Sequence, residues 1–151
     1  MNGIFWIILI ALILDFTVRF FSTVLNMRSL KSNPPFGLED VYEGEKYRKS
    51  QEYTRVQSLF GLIVSSFKIV ILLTFWFIGG FNYIDQAVRL MEWPEIVNGI
   101  AFIGIFAMLS MIFNLPLDLY ATFVIEDKFG FNKTTYLTFV LDTLKSIFLT
   151  V

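Results

Sequence analysis

The sequence predicts an all-α fold, a polytopic transmembrane helical bundle with three full spans. Of the 151 residues, 56% are hydrophobic and 18% are aromatic, and the mean hydropathy is +0.65. An ordinary soluble domain has roughly 45–50% apolar residues with glycine counted, so this composition indicates a membrane protein. The apolar residues also fall into three runs, each near the roughly 20 residues that a helix needs to cross a bilayer.

Polar connectors separate the three predicted spans, which cover about residues 3–25, 56–78 and 96–120. The first run also has the position of a secretory signal peptide, but it lacks a basic start and a small-residue cleavage pattern. Residues 46–57 are predicted to be a helical lead-in to the second span, and residues 81–95 to hold a short interfacial helix. A further helix from about residue 134 is either an amphipathic helix or the start of a fourth span.

Charge and residue usage exclude several kinds of site. The formal net charge is −1, so bulk charge gives no reason to expect a nucleic-acid partner. The chain has no histidine and no cysteine. Because a catalytic zinc ion is normally held by at least one imidazole or thiolate, we expect this chain itself to bind no zinc and to contribute no catalytic residue.

Each predicted span carries polar side chains in one of its halves. Asp15 and Arg19 lie four residues apart, so they share a helix face and can neutralise each other. Lys68 is near the middle of the second span, where a charge is costly unless it snorkels, faces water or meets a carboxylate. In the third span, Asn114 and Asp118 belong to a four-residue polar repeat that includes Ser110 and Thr122. These five residues are our candidates for lining a polar chamber: Asp15, Arg19, Lys68, Asn114 and Asp118.

The basic residues predict an orientation in the membrane. They concentrate in the first connector, with two more in the third at Lys128 and Lys133, whereas the second has only Arg89. Because cytoplasmic loops carry an excess of lysine and arginine, we expect the amino terminus outside and the first and third connectors in the cytoplasm. All three polar stripes then lie at one cytoplasmic depth. This indicates either a shared hydrated interior or hydrogen bonds that hold the helices together.

A turn with aromatic flanks is predicted after the third span. The glycine in Phe129-Gly130-Phe131 indicates a tight turn, and its two phenylalanines have little use in a freely solvated loop. We therefore predict that residues 126–132, the docking turn, pack against another part of the protein. The candidate docking residues are Glu126, Phe129, Gly130, Phe131 and Asn132.

Two stretches resemble a known family. The run from Pro116 to Thr135, PLDLYATFVIEDKFGFNKTT, resembles the amino-terminal membrane domain of the M48 zinc metallopeptidases of the Ste24 type, the CAAX prenyl proteases. The run from Lys46 to Phe67, KYRKSQEYTRVQSLFGLIVSSF, is similar to the entry into the second helix in that family. The resemblance follows the whole chain in helix order.

The resemblance implies that residues 1–151 are the amino-terminal portion of a larger integral membrane zinc metalloendopeptidase. That full-length protein would hold zinc on an H-E-x-x-H helix, which this sequence does not reach, and would cut peptides or prenylated peptides. The segment alone should then be inactive and should form part of the chamber wall in the lipid bilayer. Its docking turn would face the remainder of the metallopeptidase, and association of copies of the segment is also expected.

Two other classes of function stay open at this point. The chain could be a non-catalytic membrane adaptor or scaffold that descends from the same fold. It could instead be part of a transporter that uses Asp15, Arg19 and Lys68 as a charged pathway. Transporters often show paired inverted repeats, and no convincing internal repeat is present among the predicted spans.

Overall fold

A computed structural model describes residues 3–31 and 44–150 of the chain, with the backbone alone for residues 147–150. Within these ranges all the regular secondary structure is helical. Its elements are α1 (Gly3–Ser29), α2 (Gly44–Phe77), α3 (Gly80–Arg89), α4 (Glu95–Tyr120), a π-helical turn (Ala121–Glu126) and α5 (Tyr136–Thr150).

Three of the described helices are long and apolar enough to cross a membrane, which confirms the three predicted spans. They are α1, α2 and the continuous segment formed by α4 and the π-helical turn. With 27 residues, α1 is about 40 Å long at 1.5 Å per residue, compared with about 30 Å for the hydrocarbon core of a bilayer. Helix α5 follows close to its predicted start at residue 134 and has 15 residues.

Helix α2 extends well beyond the predicted second span. The lead-in and the span, predicted separately, form one continuous helix of 34 residues. It is about 51 Å long, so roughly 20 Å of it projects past a hydrocarbon core. The extension is helical because residues 45–56 contain neither glycine nor proline and consist mainly of good helix formers. At the other end, Gly79 has a φ of 77°, which ends the helix as glycine commonly does.

Helix α3 is the predicted short connector helix, and it joins α2 to α4 through aromatic packing. The ring of Phe81 lies 5.1 Å from that of Phe75 in α2 and 5.0 Å from that of Phe106 in α4. Gly80 permits this close approach, since a Cβ there would overlap the ring of Phe75. On the exposed side, Arg89 Nε donates to Asp85 at 2.9 Å.

Helix α2 is the centre of the arrangement and packs antiparallel to its neighbours. The ring of Phe5 at the start of α1 lies 4.8 Å from that of Trp76 at the end of α2. Similarly, Phe60 in the first half of α2 lies 5.2 Å from Tyr120 at the end of α4. Most large apolar side chains of the spans are exposed, so the described residues leave wide apolar faces for lipid or for further protein.

A π-helical turn follows the predicted end of the third span near Tyr120. The third span is predicted to cover residues 96–120 and contains Pro116. In the structure α4 continues through Pro116, and its last residue is followed directly by the π-helical turn, so that the helical segment extends to Glu126. Proline removes one backbone donor and crowds the preceding turn. π-Helices are rare and occur mostly as single turns within α-helices, and the turn at Ala121–Glu126 is of this kind.

Candidate functional site

The docking turn is built by the end of the helical segment that crosses the membrane for the third time. The carbonyl of Glu126 accepts hydrogen bonds from the N–H of Phe131 at 2.9 Å and of Asn132 at 3.3 Å. The N–H of Gly130 donates to the carbonyl of Asp127 at 2.9 Å. Gly130 has a φ of 68°, which glycine adopts at little cost. The chain therefore reverses at Gly130 with its backbone groups satisfied, as in a glycine-capped helix end.

Both phenylalanines of the docking turn pack on one tyrosine in the extension of α2. The ring of Tyr53 lies 5.5 Å from that of Phe129 and 4.8 Å from that of Phe131, each edge-on. Phe129 is buried, with 4% of its surface exposed. In addition, the ammonium of Lys49 lies 6.0 Å from the centre of the Phe131 ring. The turn is thus fixed to the part of α2 that projects beyond the membrane-spanning length.

The other two candidate residues of the turn act mainly on the local backbone. Asn132 Oδ1 accepts a hydrogen bond from the N–H of Thr134 at 2.7 Å, which orders the chain toward α5. Glu126 contributes its backbone carbonyl to the turn, as described above. Beyond the turn, the ring of Tyr136 stacks on that of Phe123 at 4.0 Å. The π-helical turn therefore holds the start of α5 as well as the docking turn.

Sequence reasoning did not single out Tyr53 or Lys49. Both lie in the second stretch that carries the family resemblance, but neither was assigned to the docking turn. The sequence feature that could have indicated Tyr53 is its position as an aromatic residue within the charged segment 45–55, where a ring needs a packing partner. The identity of that partner depends on how α2 and α4 pack side by side, which local sequence does not encode.

Four of the five candidate chamber residues fall into two separate pairs, and Asp118 belongs to neither. Arg19 Nε donates to both carboxylate oxygens of Asp15 at 2.9 Å, and both side chains are exposed. Lys68 and Asn114 line one cavity of about 210 Å³ between α2 and α4. Asp118 lies one helical turn beyond Asn114 and does not line this cavity. No ion pair within 4.0 Å links Lys68 or Asp118 to any described residue.

The cavity between α2 and α4 combines a polar end with apolar walls. Asn114 Nδ2 donates to the carbonyl of Ser110 at 2.8 Å and to its hydroxyl oxygen at 3.2 Å. Because that oxygen accepts a hydrogen bond, the Ser110 hydroxyl can direct its own hydrogen elsewhere. The apolar walls are formed by Ile71, Leu72, Phe75, Phe106, Leu109 and Phe113.

The donor set of the chain does not fit a zinc ion. Among residues 3–31 and 44–146, whose side chains are described, no group of three or more His, Cys, Asp or Glu residues could hold a metal. The sequence contains neither imidazole nor thiolate, the ligands that zinc prefers in proteins.

Comparison with known proteins assigns the chain to a family. Residues 23–151 match the family model described as the CAAX prenyl protease N-terminal domain with five membrane helices. A probable CAAX prenyl protease 1 from Schizosaccharomyces pombe is 33% identical over 131 residues, which cover 78% of this chain and 28% of the relative. A CAAX prenyl protease 1 homolog from Arabidopsis thaliana is 34% identical over 142 residues, which cover 87% of this chain and 34% of the relative.

A solved structure shares the arrangement of the helices. The crystal structure of S. mikatae Ste24p superposes with a TM-score of 0.81 at 28% sequence identity and covers 91% of this chain and 34% of that protein. The chain thus spans about a third or less of the length of the relatives it matches. It is an integral, multi-pass membrane protein, and it belongs to the family of CAAX prenyl protease amino-terminal domains.

Proposed function

We propose that this chain is the amino-terminal membrane part of a zinc endopeptidase that cuts peptides near a prenylated carboxyl terminus. The match of residues 23–151 to the family model carries the proposal, and the matched relatives are named CAAX prenyl proteases. The zinc ion and the general base belong to the remainder of the complete protein. The role of the segment is to form part of the wall around the substrate.

The arrangement of polar groups supports a wall that faces a wet interior. Lys68 and Asn114 line the same cavity. The ring contacts of Phe60 with Tyr120 and of Phe75 with Phe106, on either side of Lys68, support a similar level for the two residues in the bundle. An ammonium at this depth is costly in hydrocarbon but is tolerated beside water. We therefore assign Lys68 and Asn114 to the chamber wall, with Asp15, Arg19 and Asp118 as further members.

The charge distribution supports an orientation with the amino terminus outside. The extension of α2 carries Arg48, Lys49 and Arg55, and the docking turn beside it carries Lys128. Both belong to connectors that the excess of basic residues assigns to the cytoplasm. The docking turn and the α2 extension then form one cytoplasmic platform at the mouth of the chamber.

The docking turn has a second face that supports contact with the rest of the protein. Phe129 is buried against Tyr53, but the side chain of Phe131 is 46% exposed. Asp127 and Lys128 are exposed beside it. A rigid, partly aromatic surface of this kind suits a protein interface. Its partner is the catalytic remainder of the complete protein, and the exposed apolar faces of the spans are covered by further helices, lipid or a second copy.

Metal removal from the complete protein that carries this segment tests the proposal. A prenylated reporter peptide should be cleaved by the purified protein, and a chelator should abolish cleavage. Added zinc should restore it, because a zinc-bound water supplies the nucleophile in such enzymes. Full cleavage in the presence of chelator, or no cleavage of any prenylated peptide by the metal-loaded protein, would refute the assignment.

A further inference from the structure

Lys68 carries a positive charge within the membrane-spanning part of α2, where a charge is costly unless it is paired or faces water. Phe77, the last residue of α2, lies nine residues later, which is about 14 Å along the axis, and the predicted start of the span at residue 56 is about 18 Å away in the other direction. The four-carbon stem of lysine does not bridge either distance to the headgroups. No described carboxylate lies within 4.0 Å of its ammonium. The ammonium of Lys68 is therefore available to bind an anion, and the described helices do not provide one.

The surroundings of Lys68 select the chemistry of that partner. At the polar end of the cavity, the ammonium and the hydroxyl of Ser110 are both hydrogen-bond donors, whereas Asn114 points its amide hydrogens at Ser110. Two donors and a positive charge suit a carboxylate, which accepts through both oxygens. The remaining walls are aliphatic and aromatic. The cavity thus fits a group with a carboxylate at one end and an apolar body.

The volume of the cavity limits the size of the ligand. At about 210 Å³ it is smaller than the roughly 300–1,000 Å³ of pockets that enclose drug-sized molecules. It accommodates a group of the size of one amino-acid residue, and the rest of a longer ligand would lie outside it. The end of a peptide chain meets the requirements of charge, polarity and size.

We propose that Lys68, assisted by the Ser110 hydroxyl, binds the terminal carboxylate of the peptide substrate, and that the apolar walls hold the side chain of its last residue. This inference rests on the proposed function, since it assumes a peptide substrate that is cut near its carboxyl terminus. Lys68 is then a specificity residue. It distinguishes a free carboxyl terminus from an internal stretch of polypeptide, because only the former carries the charge.

Peptide binding to the complete protein in lipid nanodiscs tests the proposal. The zinc is removed so that nothing is cleaved, and two fluorescent prenylated peptides are compared by anisotropy, one with a free carboxylate and one with a carboxamide. We expect the wild type to bind the carboxylate about tenfold more tightly, the size of one charge-assisted hydrogen bond. In Lys68→Gln the ratio of the two dissociation constants should fall to about one.

Three further variants separate recognition from folding. Lys68→Arg keeps the charge and should retain the preference for the carboxylate, and Ser110→Ala should reduce it in part. Lys145→Gln removes a lysine that pairs with Asp142 at 3.3 Å in α5 and should leave the ratio unchanged. If both peptides bind, the proposal would be overturned by a ratio of dissociation constants that is unchanged in Lys68→Gln, or by a ratio near one in the wild type. If the wild type bound neither peptide, the proposed function would itself be wrong.

Discussion

Gly130 is the residue on which the geometry of the docking turn depends most directly. Its φ of 68° is a left-handed conformation, which costs an L-amino acid with a Cβ roughly 1–2 kcal/mol. A Cβ at this position would also lie 3.6 Å from the ammonium of Lys49, in ordinary contact, so backbone strain is the main penalty. We predict that Gly130→Ala lowers the free energy of unfolding by about that amount, measured by thermal unfolding in detergent.

A helical glycine provides the matched control for Gly130. Nothing lies within 4 Å of a Cβ built on Gly104 in α4, and alanine is a better helix former than glycine. Gly104→Ala should therefore be neutral or stabilising. Asparagine tolerates the left-handed region better than alanine, so Gly130→Asn should cost less than Gly130→Ala. If Gly104→Ala and Gly130→Ala changed the free energy of unfolding equally, the left-handed conformation at Gly130 would not be the cause of the destabilisation.

At this scale the sequence predicts the turn but not its partner. A glycine between two phenylalanines is sufficient to locate a tight turn and to indicate packed aromatic flanks. The ring that receives them belongs to Tyr53, which is distant in sequence. The same holds for Lys68 and Asn114. Each is a predictable polar residue within a span, but their shared cavity exists only because α2 and α4 lie side by side.

The extension of α2 is the element that joins the membrane bundle to the docking turn. It was predicted as a lead-in, and its fusion with the span was not predicted, because a change from polar to apolar composition resembles a boundary even when helix propensity continues across it. In the structure the extension is continuous helix with Tyr53 on the side facing the turn. A long helix that crosses the bilayer and continues beyond it can position a surface feature relative to the membrane.

Breaking the extension should release the docking turn without affecting membrane insertion. Ser50 lies within α2, three residues before Tyr53, and its carbonyl accepts from the Thr54 hydroxyl at 2.9 Å. Proline at position 50 removes a backbone donor and clashes with the preceding turn, which costs about 3 kcal/mol or more. We predict that Ser50→Pro increases the rate of tryptic cleavage after Lys128 severalfold, measured by mass spectrometry of the digest.

The control for this experiment is Ser50→Ala, which changes the same side chain and favours helix. It should leave cleavage after Lys128 at the wild-type rate. Insertion of the spans can be followed in parallel by glycosylation tags at the chain ends and should be the same in all three proteins. If the turn remained equally protected in Ser50→Pro, its position would not depend on the α2 extension.

For the whole molecule, composition predicts the number of membrane spans but does not predict which helix faces pack against each other. Hydropathy and length located all three spans, since each has to satisfy the same requirement of the hydrocarbon core. Lateral packing obeys no comparable rule, because lipid and protein interiors are similarly apolar. Among the described residues the only buried hydrophobic side chains are those of Val88 in α3 and of Ile125 and Phe129 near the docking turn. Most of the surface of the spans is consequently available to lipid, to the remainder of the protein or to water.

Introduced cysteines distinguish a wet face from a lipid face at the same depth. The sequence has no cysteine, so in a cysteine-free complete protein a water-soluble thiol reagent reports each site alone. Ser65 lies three residues before Lys68 in α2 and therefore on the same helix face. Arg19→Cys, Ser65→Cys and Asn114→Cys should be labelled, because a hydrated chamber admits the reagent. Exposed apolar residues two positions earlier, Ile63 and Ile112, provide the controls, and cysteine there should react at least tenfold more slowly because a thiolate does not form in hydrocarbon. Similar rates at Ser65 and Ile63, and at Asn114 and Ile112, would mean that the helices enclose no aqueous interior.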